Sequence, residues 1–411
     1  MRITNIHKAA ALIIFLCVGN SNALAQRRLV EEVKQDMNAL SLSIDNYKNA
    51  LNKLKPALTN SETGDDAETW FVAGKIAYGQ YDKYRSLKAI GQKVDESAMG
   101  NVLLDGYEYM KNALSRDTIE EKDKKGNVKI NKKTGEAKVQ TKYSKDIVKI
   151  ISNHYNDYKL VGRLFYVSSH DFGKSYKAWN IYTSLPYDNK YHKLREAVQD
   201  STIGEYCFYQ GIAAKLDGDY NGALDSFEKS LQLGYNKKDV FDYAISCAEH
   251  EKNDSIMVDV VKGAYLLYGK DDSRYIGILI NYAISNKKYD LASKIIDQAI
   301  ADYPNSAEYY DLKGVLLEAQ TGKIDSSYEY FKRAVELDGN FIKANFDFGR
   351  YYYNMAIREK DGSKAKELFA KAQPYLEKTF EKEPKNALAK DALRVIYYNL
   401  NDAAKLESLG K

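Results

Sequence analysis

The chain has 411 residues, and 44% of them are hydrophobic, which is enough to bury an extensive core. Only 5 residues are proline, and this scarcity favours long helices because proline removes an amide donor and clashes inside a helix. The formal net charge is +4, and so small an excess gives no case for nucleic acid or an anionic membrane as the main partner.

The first 25 residues have the features of a secretory signal peptide. Two basic residues precede an apolar run over residues 9–19, which is too short to span a bilayer. Ala23-Leu24-Ala25 then forms a small-x-small cleavage site before Gln26. A membrane anchor and a buried helix are the alternatives. A lipoprotein is disfavoured, because Cys17 follows Leu16 and not a small residue.

The signal peptide predicts an exported protein, in the periplasm first and at the cell surface or secreted second. Removing residues 1–25 takes away two basic residues and no acidic residue, so the net charge falls to +2. No later stretch approaches the roughly 18 apolar residues of a spanning helix, so no integral membrane segment is expected after cleavage.

Residues 26–200 are predicted to form an N-terminal helical region with degenerate helix pairs. Within it, residues 29–58 are expected to form one long amphipathic helix that caps the N-terminus. Residues 67–78 have a tryptophan, an Ala-Gly pair and an Ala-Tyr pair spaced as in the first helix of a pair. The partner helix is expected at residues 98–115.

Residues 117–142 interrupt this pattern with eight lysines and very few apolar residues. Gly126 and Gly135 flank a short alternation of polar and apolar residues, which fits either a small exposed hairpin or a mobile loop. A basic docking arm is the functional interpretation. A solvated insertion is favoured over it, because runs of charge are usually just solvated.

Residues 201–411 contain an internal repeat with a period near 34. Three segments share a small residue, a large apolar residue four positions later and a small residue three positions after that, which is one face of a helix. These are Ala223, Phe227 and Ser230; Ala292, Ile296 and Ala299; and Ser327, Phe331 and Ala334. A glycine near the middle of the preceding helix recurs at positions 211, 314 and 349.

Each repeat therefore predicts a pair of helices, with about five to six pairs in this half of the chain. The clear units are 204–237, 273–306 and 307–341. Unit 342–386 fits with a longer first helix, and unit 239–272 is degenerate. Turn residues with Pro or Gly, such as Tyr303-Pro304-Asn305 and Leu337-Asp338-Gly339-Asn340, end the units.

This order of small residue, glycine, Ala, Phe, Ala and Pro resembles the tetratricopeptide repeat (TPR), clearly over residues 201–411 and more weakly before them. The resemblance implies an all-α fold, a right-handed superhelical solenoid of antiparallel helix pairs with a concave groove. The abundance of Tyr, Lys and Asn also resembles exported repeat proteins of Bacteroides-type Gram-negative bacteria.

In the TPR family the first helix of each pair lines the groove. Polar, charged and aromatic side chains there suit a peptide or an extended segment of another protein. The side chains that the resemblance places in the groove, and that we expect to bind such a partner, are Arg274, Asn281, Asp311, Glu318, Phe346, Arg350 and Tyr353.

One TPR subgroup grips the C-terminal carboxylates of its partners with a Lys and Asn clamp. The clamp is absent here, because the corresponding pairs are Phe208/Ile212, Gly277/Asn281, Asp311/Val315 and Phe346/Arg350. An adaptor role of the cytosolic chaperone type is therefore disfavoured.

Two further features leave alternatives open. Cys207 and Cys247 lie 40 residues apart, close to one repeat, so they could form a structural disulfide or be buried apolar residues. The run Tyr351-Tyr352-Tyr353 could stack against a sugar or peptide, but packing between helices is favoured.

No catalytic or metal-binding pattern is present. The four histidines after residue 25 are not in a zinc motif or at metal spacing from a cysteine, and no nucleophile elbow, Walker loop or dinucleotide fingerprint occurs. We therefore expect no enzyme, no cofactor and no metal. An enzyme with an unrecognised site in residues 26–200 is the third hypothesis, which a deep pocket with perturbed titratable groups would favour.

The first hypothesis is a non-catalytic protein–protein interaction scaffold or adaptor in the cell envelope, with a partner in the concave TPR groove. The alternative is a glycan-binding or nutrient-binding component of an envelope uptake system, motivated by the 35 tyrosines. The sequence leaves the partner and the oligomeric state open.

Overall fold

The computed structural model describes residues 25–39, 41–132, 135–320 and 324–410. The predicted signal peptide lies outside them, apart from Ala25. The described residues form two compact units, one up to Lys252 and one from Asn253. This division falls inside the predicted repeat array, within unit 239–272. The predicted boundary at residues 200/201 stays a prediction.

The first unit is built almost entirely of helices. They are α1 (25–36), α2 (Ile44–Thr59), α3 (Ala67–Ala89), α4 (Glu96–Arg116), α5 (Ser144–Asn153), α6 (Tyr155–Leu164), α7 (Phe172–Ser184), α8 (His192–Ala197), α9 (Asp200–Leu216), α10 (Tyr220–Gln232) and α11 (Lys238–His250). A turn of π-helix, Phe165–Ser169, extends α6, and two 3₁₀ turns, Leu185–Tyr187 and Asn189–Tyr191, follow α7. Strands β1 (Ile119–Glu120) and β2 (Val139–Gln140) pair antiparallel.

The described part of the second unit consists of helices joined by short connections. Its helices are α12 (Asp254–Tyr268), α13 (Arg274–Ser285), α14 (Tyr289–Asp302), α15 (Ala307–Ala319), α16 (Ile324–Leu337), α17 (Ile342–Arg358), α18 (Gly362–Lys382), α19 (Ala387–Asn399) and α20 (Ala403–Gly410). None of the described helices of either unit combines the length and the apolarity needed to cross a bilayer.

Glycines in first helices bring the paired helices into close contact. A Cβ atom added at Gly211 would lie 2.5 Å from Phe227 Cε1, and one added at Gly314 would lie 2.6 Å from Phe331 Cδ1. Gly349 meets Leu376 in the same way, at 2.7 Å from Cγ. Each of the three large side chains is fully buried. These contacts confirm the all-α fold of TPR-type helix pairs.

The same contact extends into the N-terminal half of the chain. A Cβ atom at Gly74 of α3 would lie 2.8 Å from the side chain of Met110 in α4, which confirms the expected partner helix. A Cβ atom at Gly162 of α6 would lie 2.5 Å from Trp179 Cδ1 in α7, so α6 and α7 form a further pair. Sequence reasoning missed this pair.

The single helix predicted over residues 29–58 is wrong. The chain is helical over 25–36 and again from Ile44, because Ser43 starts a new helix. The Ser43 hydroxyl accepts from the backbone N–H of Asn46, and the Asn46 side chain accepts from the Ser43 N–H at 2.9 Å. This reciprocal capping box specifies a helix N-terminus inside an otherwise continuous amphipathic pattern.

The insertion at residues 117–142 forms the small hairpin, one of the two structures its sequence allowed. Beyond β1 and β2, isolated bridges pair Lys122 with Val128 and Ile130 with Ala137. Most of its side chains are exposed, including Ile119 and Val139. Lys133, one of the eight lysines, lies outside the described residues.

Asp117 closes the base of this hairpin. Its carboxylate accepts hydrogen bonds from the backbone N–H groups of Lys142, Tyr143 and Ser144 at 2.9, 2.8 and 2.6 Å. The Ser144 hydroxyl donates a fourth at 2.7 Å. Burial alone would raise the pKa of Asp117, but these hydrogen bonds lower it below its ordinary value. One carboxylate therefore caps the start of α5 from across the insertion.

Tyrosine and cysteine side chains fill much of the core. Tyr158 and Tyr275 are almost completely buried, so the abundance of tyrosine is not only a surface feature. Tyr158 pairs its hydroxyl with that of Tyr78. Cys207 and Cys247 are buried free thiols and form no disulfide with each other. Burial raises the pKa of Cys207 to about 11, so this thiol stays protonated at neutral pH.

The glycine contact is tested by adding one methyl group. Gly314→Ala places a Cβ against the Phe331 ring, and we expect the free energy of unfolding to fall by about 1–3 kcal/mol. Gly277→Ala in α13 meets no atom within 4 Å and should raise it by about 0.5–1 kcal/mol, because alanine loses less entropy in a helix. Urea unfolding of both variants measures the difference, and equal effects would contradict the packing argument.

The Asp117 clamp is tested by Asp117→Ala. Three backbone N–H groups at the start of α5 lose their acceptor, so we expect a loss of about 1–3 kcal/mol in the free energy of unfolding. Because the pKa of Asp117 is lowered in the folded state, its contribution is present above its unfolded pKa, about 4, and is lost as the pH falls through the folded pKa.

Asp123→Ala is the matched control for the clamp. Asp123 accepts from the N–H groups of Lys125 and Asn127 at the exposed tip of the same hairpin. Urea unfolding at pH 7 should show no measurable change for this variant. Faster amide exchange at residues 142–144 only in Asp117→Ala would locate the effect, and equal exchange in both variants would exclude the clamp.

Candidate functional site

The first helices of two successive pairs in the second unit carry facing rows of charge. Asp311 and Glu318 lie two turns apart on one face of α15. On α17, which packs against α15, Lys343, Asp347 and Arg350 occupy one face, with Asn354 one turn further on. We refer to these six side chains together as the charged stripe.

The N-terminal end of the stripe is centred on a lysine. Lys343 Nζ lies 2.7 Å from Asp311 Oδ2 and 2.9 Å from Asp347 Oδ2, so it bridges a carboxylate of α15 and one of its own helix. The start of α17 is itself fixed, because the Asn345 amide donates to the carbonyls of Gly339 and Phe341 at 2.9 Å.

The other end of the stripe is centred on an arginine. Arg350 Nη2 lies 2.7 Å from Glu318 Oε2 and 3.0 Å from Asp347 Oδ1. Asn354 Nδ2 donates to Glu318 Oε1 at 3.3 Å. Asp347 thus contacts both cations, and the five charged groups form one continuous network across two helices.

The carboxylates of the stripe are buried, whereas its cations reach the surface. The side chains of Asp311, Asp347 and Glu318 are 1%, 8% and 10% exposed. Lys343 and Arg350 are 52% and 31% exposed. A molecule approaching this face therefore meets two cations whose positions are fixed from below by carboxylates.

The negative charge of Asp311 is unfavourable in the folded state. Burial and the neighbouring charge of Asp347 raise the pKa of Asp311 to about 6, although Lys343 opposes the shift. Within the described part of the chain, Asp311 Oδ1 is buried without a hydrogen-bond partner. Ionised Asp311 is therefore held at a cost to folding stability.

The structure brings together three of the seven groove residues expected from sequence: Asp311, Glu318 and Arg350. Phe346 and Tyr353 pack on an apolar cluster. In that cluster Tyr353 contacts Phe369, with ring centroids 6.1 Å apart.

The remaining two expected residues lie on α13. Arg274 is 61% exposed at the first position of the helix, where its guanidinium pairs with Asp272 at 2.6 Å. Asn281 is exposed on the same helix. Their expected role in binding stays a prediction.

The three consecutive tyrosines are used in packing between helices, as favoured from the sequence. Tyr351 is buried against Phe331 and Phe348. Tyr352 stacks with Tyr375 of α18 at an angle of 11°. Little of this run is left for stacking against a sugar.

Sequence reasoning missed Asp347 and Asn354. The expected groove positions of α17 selected Phe346 and Tyr353, each one residue away from the side chains that enter the stripe. The spacing of Lys343, Asp347 and Arg350, four and then three residues, was the available signal, because opposite charges at this spacing meet on a helix face.

The first unit holds a second group of titratable side chains. Buried His154 donates from Nδ1 to the Ile150 carbonyl at 2.8 Å, and its Nε2 donates to Asp82 Oδ1 at 3.2 Å when the ring is protonated. Burial opposes protonation, but these hydrogen bonds raise the pKa of His154. Arg85 pairs with Asp157 at 2.8 Å. These contacts join α3 to α6 and its N-terminal junction, which is a packing role.

The residues that the structure describes contain no group of three His, Cys, Asp or Glu side chains arranged to hold a metal ion.

No family model and no curated protein matches the chain. Among solved structures, MamA is 20% identical, over 43% of this chain and 96% of MamA, with a TM-score of 0.33. YrrB, described as a TPR protein with an unusual peptide-binding site, is 19% identical over 49% of this chain and 97% of its own, with a TM-score of 0.35. PilF of Pseudomonas aeruginosa is 15% identical over 50% of this chain and 88% of its own, with a TM-score of 0.37.

The raised pKa of Asp311 predicts an unusual gain of stability. An acid whose folded pKa is raised costs stability as the pH rises from its unfolded pKa, about 4, to its folded pKa, about 6. Asp311→Asn imitates the protonated acid, so we expect it to melt at a higher temperature than the wild type at pH 8 and at a similar temperature at pH 4. Melting followed by circular dichroism at both pH values measures this, and a lower melting temperature at pH 8 would show that the pair with Lys343 outweighs the burial cost.

Proposed function

We propose that this protein is a non-catalytic scaffold of the cell envelope that holds an extended, acidic segment of a partner protein along the charged stripe. The observation that carries the proposal is the arrangement of the stripe itself, in which buried carboxylates on α15 and α17 present Lys343 and Arg350 outward.

Preorganisation supports this use. Each cation of the stripe contacts two carboxylates, so its position is fixed before a partner arrives and little side-chain entropy remains to be lost. Lys343 still has donor capacity after two contacts, because an ammonium group carries three N–H donors. Partner carboxylates or backbone carbonyls can accept from it.

The charges of the stripe that reach solvent are positive, which favours an acidic partner. The three buried carboxylates outnumber the two cations of the network, but only the cations extend into solvent. Electrostatic complementarity at such a surface steers association and selects partners more than it sets raw affinity. An acidic extended segment matches both the charge and the linear arrangement along two neighbouring helices.

The envelope location is supported by the sequence of residues 1–25, with its basic start, short apolar run and small-x-small site. The periplasm fits this leader best. No catalytic role is proposed, because the charged groups of the stripe pair with one another.

The proposal is tested by charge reversal. The double variant Lys343→Glu/Arg350→Glu should retain at least roughly tenfold less partner from an envelope extract than the wild type, because attraction is replaced by repulsion. Lys332→Glu/Arg333→Glu is the matched control, since it reverses two half-exposed cations on the neighbouring helix α16. Quantitative mass spectrometry of the retained proteins measures the difference.

Circular dichroism shows whether the stripe variant keeps its helices. A second measurement needs no variant: binding of the retained partner to the wild type should weaken steadily as the salt concentration rises. Equal retention by all three proteins, or binding indifferent to salt, would exclude the charged stripe as the binding surface.

A further inference from the structure

A cavity of about 420 Å³ lies in the first unit, beside α1, α2 and α3. This volume falls within the range of pockets that hold small organic molecules. Its apolar wall comes mainly from α3 and the connection between α1 and α2, and includes Met37, Leu42, Val72 and Ile76. An apolar chain placed there would be removed from water on several sides.

The polar groups of the cavity are not equivalent. Glu68 is neutralised by Lys34, whose Nζ lies 2.8 Å from Glu68 Oε1. Lys75 also lines the cavity, and among the described residues it forms no ion pair with a carboxylate. The cavity therefore offers one cation that has no counter-ion in the described chain.

An aromatic pair lies next to that cation. The ring of Phe71 stacks on Tyr143 at 4.7 Å between centroids, and Lys75 Nζ lies 5.8 Å from the centre of the same Phe71 ring. Tyr143 also lines the cavity, but its hydroxyl interacts with the Lys142 ammonium group and the Glu68 carboxylate. Lys75 is therefore the group of the cavity that is left to bind an anion.

We propose that this cavity binds a small amphipathic carboxylate, with its apolar body on Met37, Leu42 and Ile76 and its carboxylate at Lys75. The carboxylate accepts from the Lys75 ammonium group, which thereby gains a counter-ion. The site belongs to a different unit from the charged stripe and does not depend on the proposed function.

Calorimetric titration of the full chain tests the chemistry of the ligand. Decanoate should bind with one-to-one stoichiometry. Acetate, which lacks the apolar body, and decylamine, which carries the opposite charge, should each bind at least roughly tenfold more weakly. An acetylated Leu-Leu dipeptide with a free carboxylate separates the two sources of such a group, an acyl chain and a peptide end, and tighter binding of one identifies the source.

Charge reversal tests the assigned residue. Lys75→Glu should weaken decanoate binding by roughly tenfold. Lys75 is exposed, so the substitution leaves the core intact. Lys83→Glu, the same change on the same helix away from the cavity lining, should leave binding unchanged.

Several results would overturn the proposal. Decylamine binding as tightly as decanoate would mean that the cavity recognises only the apolar chain and not the carboxylate. Decanoate binding unchanged in Lys75→Glu, or no decanoate binding at all, would each exclude the carboxylate site.

Discussion

The fold depends on the close approach of paired helices at a glycine. A helix is stable in water mainly when it buries a face against a neighbour, and the missing side chain at Gly211 or Gly314 lets a phenyl ring of the partner helix pack directly on the backbone. Where the glycine is absent, the two helices still pair, but through side chains of other shapes. In the pair α13 and α14, buried Ile280 and Ile296 share one apolar cluster.

This packing sets where polar chemistry can occur. The large side chain of the second helix fills the interior of each pair, so charged residues of the first helix are directed towards the next first helix in the array. Between α15 and α17 this produces carboxylates with little exposure and cations that reach solvent. Removing charges from water is costly, and one cation shared by two carboxylates reduces that cost without abolishing it. The raised pKa of Asp311 reflects the part of this desolvation cost that remains.

Sequence periodicity was sufficient to predict the helix pairs of units 204–237, 273–306 and 307–341, because the small and large residues that pack against each other recur at a fixed spacing. It missed the pair α6 and α7, where a turn of π-helix and left-handed His170 replace the ordinary connection and tryptophan replaces the usual phenylalanine. It also missed the break before Ile44, since a capping box of Ser and Asn interrupts a helix without interrupting its apolar pattern.

For the candidate site, the resemblance to the TPR family selected Asp311, Glu318 and Arg350 but not Asp347. Which neighbouring residue of a helix enters an interface depends on the rotation of that helix about its axis. That rotation is fixed by packing on both sides of α17, including the apolar cluster that takes Phe346 and Tyr353. A spacing rule cannot supply this information.

The Asp117 clamp has a consequence for how the chain can vary. Because the side chain of Asp117, at one end of the insertion, binds the backbone at the other end, residues 118–141 leave and rejoin the helical scaffold at a single point. The length of the segment between is then uncoupled from the packing of α4 and α5, and the entropy of closing a longer loop rises only slowly with its length. The hairpin can therefore be exchanged or lengthened without changing the packing of the helices around it. It is the place where this scaffold can accept a new segment.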